Sequence, residues 1–298
     1  MASSENTASA RSLPALRSWL SSQRNVKRLQ QVIIFMIMAI GAVAMIAPFE
    51  WMLATSFSRS ANVAMPRLPT FWPLDPSTFN YKVAITNLPI ARYYLNSFIV
   101  TVAATLGYLF LSSLTGYAFA KGRFVGKSVL FIILLTTLMI PFEIRMIPMY
   151  LLMRQLHLSD TYAALVLPFI SGGFGMFLMR QYISAIPDEL IDAARVDGAS
   201  EFTIYARIVL PLCGPALAAL TVLSALWRWN DVLWPLLVIS DRSLYTVTFG
   251  LAMASRSQGI FTGVALATSA IAILPIMILY LFLQRYIIRG IMLTGLKG

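Results

Sequence analysis

Long apolar runs separated by short polar stretches dominate this chain. Six runs, at about 32–54, 96–119, 128–148, 161–183, 213–239 and 262–284, each carry interior polar residues but few or no charges. A helix that crosses a bilayer needs about 20 predominantly apolar residues, so each run predicts a spanning helix. The scattered polar positions suit a bundle with both lipid-facing and buried faces. The fifth run is too long for one upright helix and holds Trp229-Asn230-Asp231. It predicts a tilted helix ending near Trp229, then an apolar element broken at Pro235. Ala42-Val43-Ala44 in the first run mimics a signal-peptidase site, but the apolar stretch continues through Met45, Ile46 and Leu53, so the first span reads as uncleaved. The expected fold class is all-α: a polytopic membrane protein with six transmembrane helices.

Composition strengthens this picture. Hydrophobic residues make up 58% and charged residues 12%, and the mean hydropathy is +0.75. Soluble domains carry roughly 25% charged residues. With half that share, a chain of 298 residues covers itself in lipid and not in water.

The net charge of +11 reads as orientation, not as nucleic-acid binding, because the basic residues are dispersed among apolar spans. Arg11, Arg17, Arg24, Lys27 and Arg28 stand against Glu5 alone before the first span, and Lys121, Arg123 and Lys127 follow the second with no acid. Both termini and the even-numbered loops are therefore expected on the cytoplasmic side. The single Cys213 excludes an internal disulfide, and with the lone His157 it leaves no cysteine or histidine metal cluster to build.

The connecting segments divide the chain into a cytoplasmic lead, 1–29, and a transmembrane domain, 30–298. Segment 56–95, with four prolines around Phe71 and Trp72, reads as an external loop near the headgroups. Segment 184–211, SAIPDELIDAARVDGASEFTIYARIVLP, gathers acids as no other part does. Pro187 fits the first helical position, with Asp188 and Glu189 beside the positive end of the helix dipole. Leu190, Ala193, Ala194 and Asp197 fall at helical spacing, and Gly198 allows a sharp turn. A second amphipathic run, Phe202 to Leu210, leads to Pro211. The expected form is a cytoplasmic helix–turn–helix whose exposed Leu, Ile and Ala face docks a partner.

This segment resembles the EAA loop of binding-protein-dependent ABC importers. The match runs Asp192-Ala193-Ala194, Asp197-Gly198-Ala199 and Ile208-Val209-Leu210-Pro211, with Asp192 where Glu is usual. Asn96-Ser97, Trp229-Asn230-Asp231, Gln284-Arg285 and the ending Gly295-Leu296-Lys297-Gly298 are similar to the carbohydrate branch, the maltose- and glycerol-3-phosphate-type permeases. The resemblance implies a type I permease fold with a cytoplasmic coupling helix at about 189–197, seated in an ATPase cleft. It implies as partners a second permease subunit, two ATPase subunits and an external substrate-binding protein, with a sugar or sugar-like solute as cargo. Asp192, Ala193, Ala194, Asp197, Gly198, Leu210 and Pro211 are the expected ATPase-coupling residues. No catalysis, cofactor or metal is expected within the chain.

Other features divide between readings. Asn96, Trp229, Asn230 and Asp231 form a candidate substrate path, with Asp231 suited equally to bonding a sugar and to capping the broken fifth helix. Glu143 and Arg145, after Pro141, are an interface pair at the outer boundary or a substrate site. Tyr245 and Phe249, in the 240–260 loop, are candidate contacts to the binding protein; a passive connector is the alternative. Gly172, Gly173 and Gly175 suit close helix packing. Gly122 to Ser128 resembles a phosphate loop but is one residue short between its glycines and lacks a preceding strand. A secondary transporter would need charged coupling residues within spans or an internal repeat, and a membrane protease would need a nucleophile near His157; neither is evident.

Overall fold

The computed structural model describes residues 12–63, 69–257 and 261–295, and within these ranges it is helical apart from turns and one isolated bridge between Ser58 and Pro76. Three helices are long and apolar enough to cross a membrane, and the number rises to as many as six when each of three bent helix pairs is counted as one span. α1 (Ser12–Ser56) runs unbroken through the lead and the first span, with Pro48 inside it. Its apolar side chains, Phe35 and Met45 among them, stand uncovered by the rest of the chain, a surface suited to lipid. The short α2 (Phe79–Asn87) braces the external segment. There the buried Asn80 amide donates to the Ser56 and Ser58 carbonyls, both at 2.9 Å.

α3 (Ile90–Lys121) is the central pillar, packing on the fourth and fifth spans and on α13 of residues 247–257, with the Tyr94 hydroxyl donating to the Ile271 carbonyl of the sixth. The third span departs from the expected unbroken helix. α4 (Lys127–Thr136) and its 3-10 extension end at Met139, and α5 (Phe142–Gln155) leaves at a bend of 102°. The cause is Pro141, which disfavours helical geometry in the residue before it; Ile140 is extended at ψ 113. The fourth span breaks similarly, between α6 (Tyr162–Val166) with its 3-10 turn to Phe169 and α7 (Gly173–Ser184), bent by 43°. α7 lies tight on α3: a Cβ added to Gly175 would collide with the Tyr108 ring and the Ser112 hydroxyl, in keeping with the packing role expected of these glycines.

The segment between the fourth and fifth apolar runs comprises α8 (Asp188–Val196), α9 (Glu201–Ile204), a π turn (Tyr205–Val209) and α10 (Leu210–Leu212). Pro211 explains the π turn: it has no N–H for the Arg207 carbonyl and its ring crowds that group, so the helix register widens there. The chain then turns by 80° into α11 (Gly214–Trp229). α12 (Leu233–Val238) follows, with Pro235 inside its first turn. The fifth run is therefore broken at residues 230–232 and not at Pro235, because a proline early in a helix gives up an N–H that had no partner. α13 (Val247–Ser257) occupies part of the external loop, and α14 (Thr262–Gly295) is the sixth span. Leu296, Lys297 and Gly298 lie outside the described residues.

Two of the core clusters among the described residues lie at opposite ends of the bundle. One, at the α8 end, gathers Tyr117, Met179, Ile183, Ile191, Ile204, Tyr205 and Leu220. The other gathers Val100, Met153, Leu165, Trp234 and Phe249 at the opposite end of the bundle.

Candidate functional site

α8 begins one residue later than the proline pattern suggests. Pro187 is the non-helical cap at ψ 135, and Asp188 and Glu189 fill the first turn. Its C-terminus closes with two bonds, Gly198 N–H to the Arg195 carbonyl and Ala199 N–H to the Ala194 carbonyl, both 3.0 Å. This pairing needs a left-handed residue after the cap, and Gly198 supplies it at φ +81.

The helix has two distinct faces. Ile191 is buried in the core cluster beside α7 and the π turn, which corrects the expectation that the isoleucine stands on the docking face. Leu190, Asp192, Ala193, Val196, Asp197 and Gly198 point outward, with Val196 88% exposed. Ala194 is half-buried. Leu210 is half-buried and Pro211 exposed, past the π turn.

Polar contacts fasten this segment to α3 at both ends. Lys121 Nζ donates to the Ile186 carbonyl at 2.6 Å and to the Asp188 carboxylate. The Tyr117 hydroxyl donates to Glu201 Oε2 at 2.6 Å, while Arg195 Nε donates to Glu201 Oε1 at 2.7 Å and Arg195 Nη1 to Asp192 at 2.9 Å. Hydrogen bonds from Arg195 and then Tyr117 hold the Glu201 carboxyl below its usual pKa, and Lys121 does the same for Asp188. Beside this network opens a groove of about 640 Å³, lined by Arg123, Phe202 and Tyr205 among others. Tyr117 was not singled out from the sequence, and Lys121 entered only as an orienting charge. Their spacing of four at the C-terminal end of α3, opposite a loop rich in acids, was the available signal.

The candidate substrate path does not come together. Asn96 is fully buried: its Nδ2 donates to the carbonyls of Ser243 and Tyr245, both at 2.8 Å, and its Oδ1 accepts from the Tyr162 hydroxyl at 2.6 Å. With the Ser97 hydroxyl accepting from Val247 N–H at 2.7 Å, it braces the entry to α13. Trp229 is also buried, its indole donating to the Ala272 carbonyl at 3.0 Å. Asn230 is exposed and bonds back to Leu226. Asp231 takes the capping role, accepting from Trp234 N–H at 3.2 Å and pairing with Arg228 at 2.9 Å.

Asp231 does, however, line a second cavity of about 570 Å³, together with Glu143, Arg145, Phe174, Trp227 and Arg228. Glu143 and Arg145 are both exposed and form no ion pair with each other among the described residues. Of the two aromatics after α12, Phe249 is 1% exposed, and Tyr245 is half-buried against it with ring centroids 4.5 Å apart. Among the described residues of that loop the turn Ser240–Ser243 is exposed, held where Asp160 accepts from Asp241 N–H at 2.9 Å.

Comparison with known proteins places this architecture. Residues 108–293 match the family described as binding-protein-dependent transport system inner membrane component. The chain is 41% identical over 228 residues to the arabinooligosaccharides transport system permease protein AraQ of Halalkalibacterium halodurans, covering 75% of this chain and 82% of that protein. It is 33% identical to AraQ of Bacillus subtilis, over 93% of this chain and 99% of that one. It is 34% identical to the sn-glycerol-3-phosphate transport system permease protein UgpE of Yersinia pestis bv. Antiqua, over 75% of this chain and 80% of that protein. Its structure is similar to a chain of a bacterial ABC transporter involved in the import of the acidic polysaccharide alginate, with a TM-score of 0.79 and 25% identity over 88% of this chain and 98% of that chain. The chain thus belongs to the binding-protein-dependent transport system inner membrane component family, as a multi-pass, non-catalytic inner-membrane permease of the carbohydrate ABC importer branch.

Proposed function

We propose that this chain pairs with a second permease subunit, that two ATPase subunits drive the pair, and that it passes a saccharide delivered by an external binding protein. α8 seats in an ATPase cleft through Leu190, Asp192, Ala193, Val196 and Asp197. Gly198, Leu210 and Pro211 fix the angle at which α8 meets the spans. The observation that carries this reading is the division of α8 into an anchored face and a free one. Ile191, Asp188 and the Arg195–Glu201–Tyr117 network tie one face to α3, while small and apolar side chains stand uncovered on the other. A rigid helix tied at one face transmits motion only when a partner grips the other.

The termini lie in the cytoplasm, and the Ser240–Ser243 turn reaches the binding protein. A saccharide is favoured over a glycerophosphate ester because the arabinooligosaccharide permeases match at 41% and across up to 93% of this chain. The test is a cysteine at Val196. In membranes holding the native complex, it should crosslink to a co-purifying ATPase subunit, and closure with ATP should change the yield. Reporter fusions active only in the cytoplasm should work after Lys127 and after Glu201 and fail at Thr78. Isolation of the chain without an ATPase, or the reverse fusion pattern, would overturn the reading.

A further inference from the structure

The cavity beside Asp231 lies where three helix breaks converge. Its lining includes Leu138 and Phe142 on either side of the third-span break, Pro168, Phe169 and Ser171 to Gly173 across the fourth-span break, and Asp231 and Leu233 at the end of the fifth. Tyr108, near the middle of α3, forms its wall, which places it deep in the membrane. Interrupted backbone at that depth is tolerated where it is buried in protein or lines a hydrated cavity, and transport sites are commonly built from such interrupted helices. At about 570 Å³ the space falls within the range of small-molecule sites.

Its chemistry is specific. Trp227, 50% exposed, and Phe174, 37% exposed, meet edge to face at 6.2 Å. They present aromatic surface to the cavity, suited to the C–H faces of a sugar ring. Arg228 and Asp231 are spent on each other, and Arg228 also lies over the Phe169 ring at 3.5 Å. Glu143 and Arg145 make no ion pair among the described residues, which leaves one acceptor group and one donor group free for hydroxyls. The four charges sum to zero, and a phosphate or uronate would call for an excess of cations.

We infer that this cavity is a transit site for a neutral saccharide, with Trp227 and Phe174 as the stacking platform and Glu143 and Arg145 as the hydroxyl-binding pair. The inference rests on the importer reading above and adds the place and charge class of the cargo.

The test uses the complete transporter in proteoliposomes, with this chain carrying Cys213→Ala and Ser171→Cys. Ser171 is an exposed lining residue, and sulfonatoethyl methanethiosulfonate should label its replacement during turnover. With binding protein and ATP present, the labelling rate should fall about tenfold at saturating arabinotriose, maltotriose or xylotriose, and stay unchanged with sn-glycerol 3-phosphate. Trp227→Ala should raise the uptake KM for the protecting sugar about tenfold, equivalent to 1.4 kcal/mol, and Trp227→Phe should restore much of it. Three results would each overturn the inference: no labelling before sugar is added, which means the partner permease fills the space; labelling that no neutral sugar slows; or protection by the anion instead. In any of these cases continued ATP-driven uptake leaves the importer reading standing, whereas failure to assemble with an ATPase removes both.

Discussion

The Tyr117 hydroxyl donates to the Glu201 carboxylate at 2.6 Å, joining the C-terminal end of the second span to the segment that follows α8. Tyr117 belongs to α3, the pillar of the bundle, so this bond joins the loop to the element that packs on the fourth and fifth spans. Removing the hydroxyl with Tyr117→Phe keeps the ring in the core and leaves Glu201 to Arg195 alone. After allowance for the exposure of the carboxylate, the loss is about 1 kcal/mol, or about a fivefold shift toward a loosened loop. The expected outcome is faster hydrogen exchange at the amides of 188–201 and less sugar imported per ATP, with subunit assembly intact. Unchanged exchange and stoichiometry would show that the bond carries no coupling.

The same carboxylate sets a pH window. Glu201 is held below its unfolded value of 4.5 by Arg195 and Tyr117. A depressed carboxylate pKa contributes stability that is fully present above the unfolded value and lost as pH falls through the folded one. The clamp should therefore be indifferent to pH across the neutral range and loosen only in acid below the ordinary carboxylate range. Exchange at 188–201, corrected for intrinsic rates, should be flat from neutrality downward and rise only there. Glu201→Gln should show the loosened state at neutral pH.

Gly198 adopts φ +81 with open space around its missing Cβ, so only the backbone restricts what stands there. A β-branched residue in this conformation costs roughly 1–2 kcal/mol, and the strain falls on the turn that orients α8. Gly198→Val should insert and assemble normally, hydrolyse ATP, and import sugar poorly. Gly198→Asn, better suited to left-handed geometry, should recover much of the uptake. Normal uptake in the valine variant would refute the turn argument.

The six crossings were legible because apolar length is a property of composition, and the coupling segment was legible because proline, acid and glycine positions mark helix ends. The breaks at Ile140 and Ile170–Gly172 were hidden, because an apolar count does not record where backbone hydrogen bonds are interrupted. Pro141 was in view, but inside an apolar run read as one span to about 148. The inward turn of Ile191 follows from how the short α8 rests on α7 and the π turn, a tertiary choice that helical spacing leaves open. The cavity was least legible of all. Glu143, Phe174 and Trp227 come from three different spans, and nothing local in their surroundings announces that they meet.

Asn96 separates a brace from a binding residue. It is fully buried, and all of its partners belong to this chain: the Ser243 and Tyr245 carbonyls and the Tyr162 hydroxyl. Asn96→Leu preserves shape but leaves those groups without a partner, at about 1–3 kcal/mol for each desolvated group that finds no other. As a brace, it should lower the apparent unfolding temperature of the detergent-solubilised chain by several degrees, while the correctly assembled fraction keeps its KM for sugar. A residue of the solute path would behave in the opposite way, with KM raised and thermal stability unchanged. Thermal unfolding measured beside initial uptake rates decides between the two. A raised KM without lost stability would return Asn96 to the path, and with it the Ser243–Val247 segment that it holds.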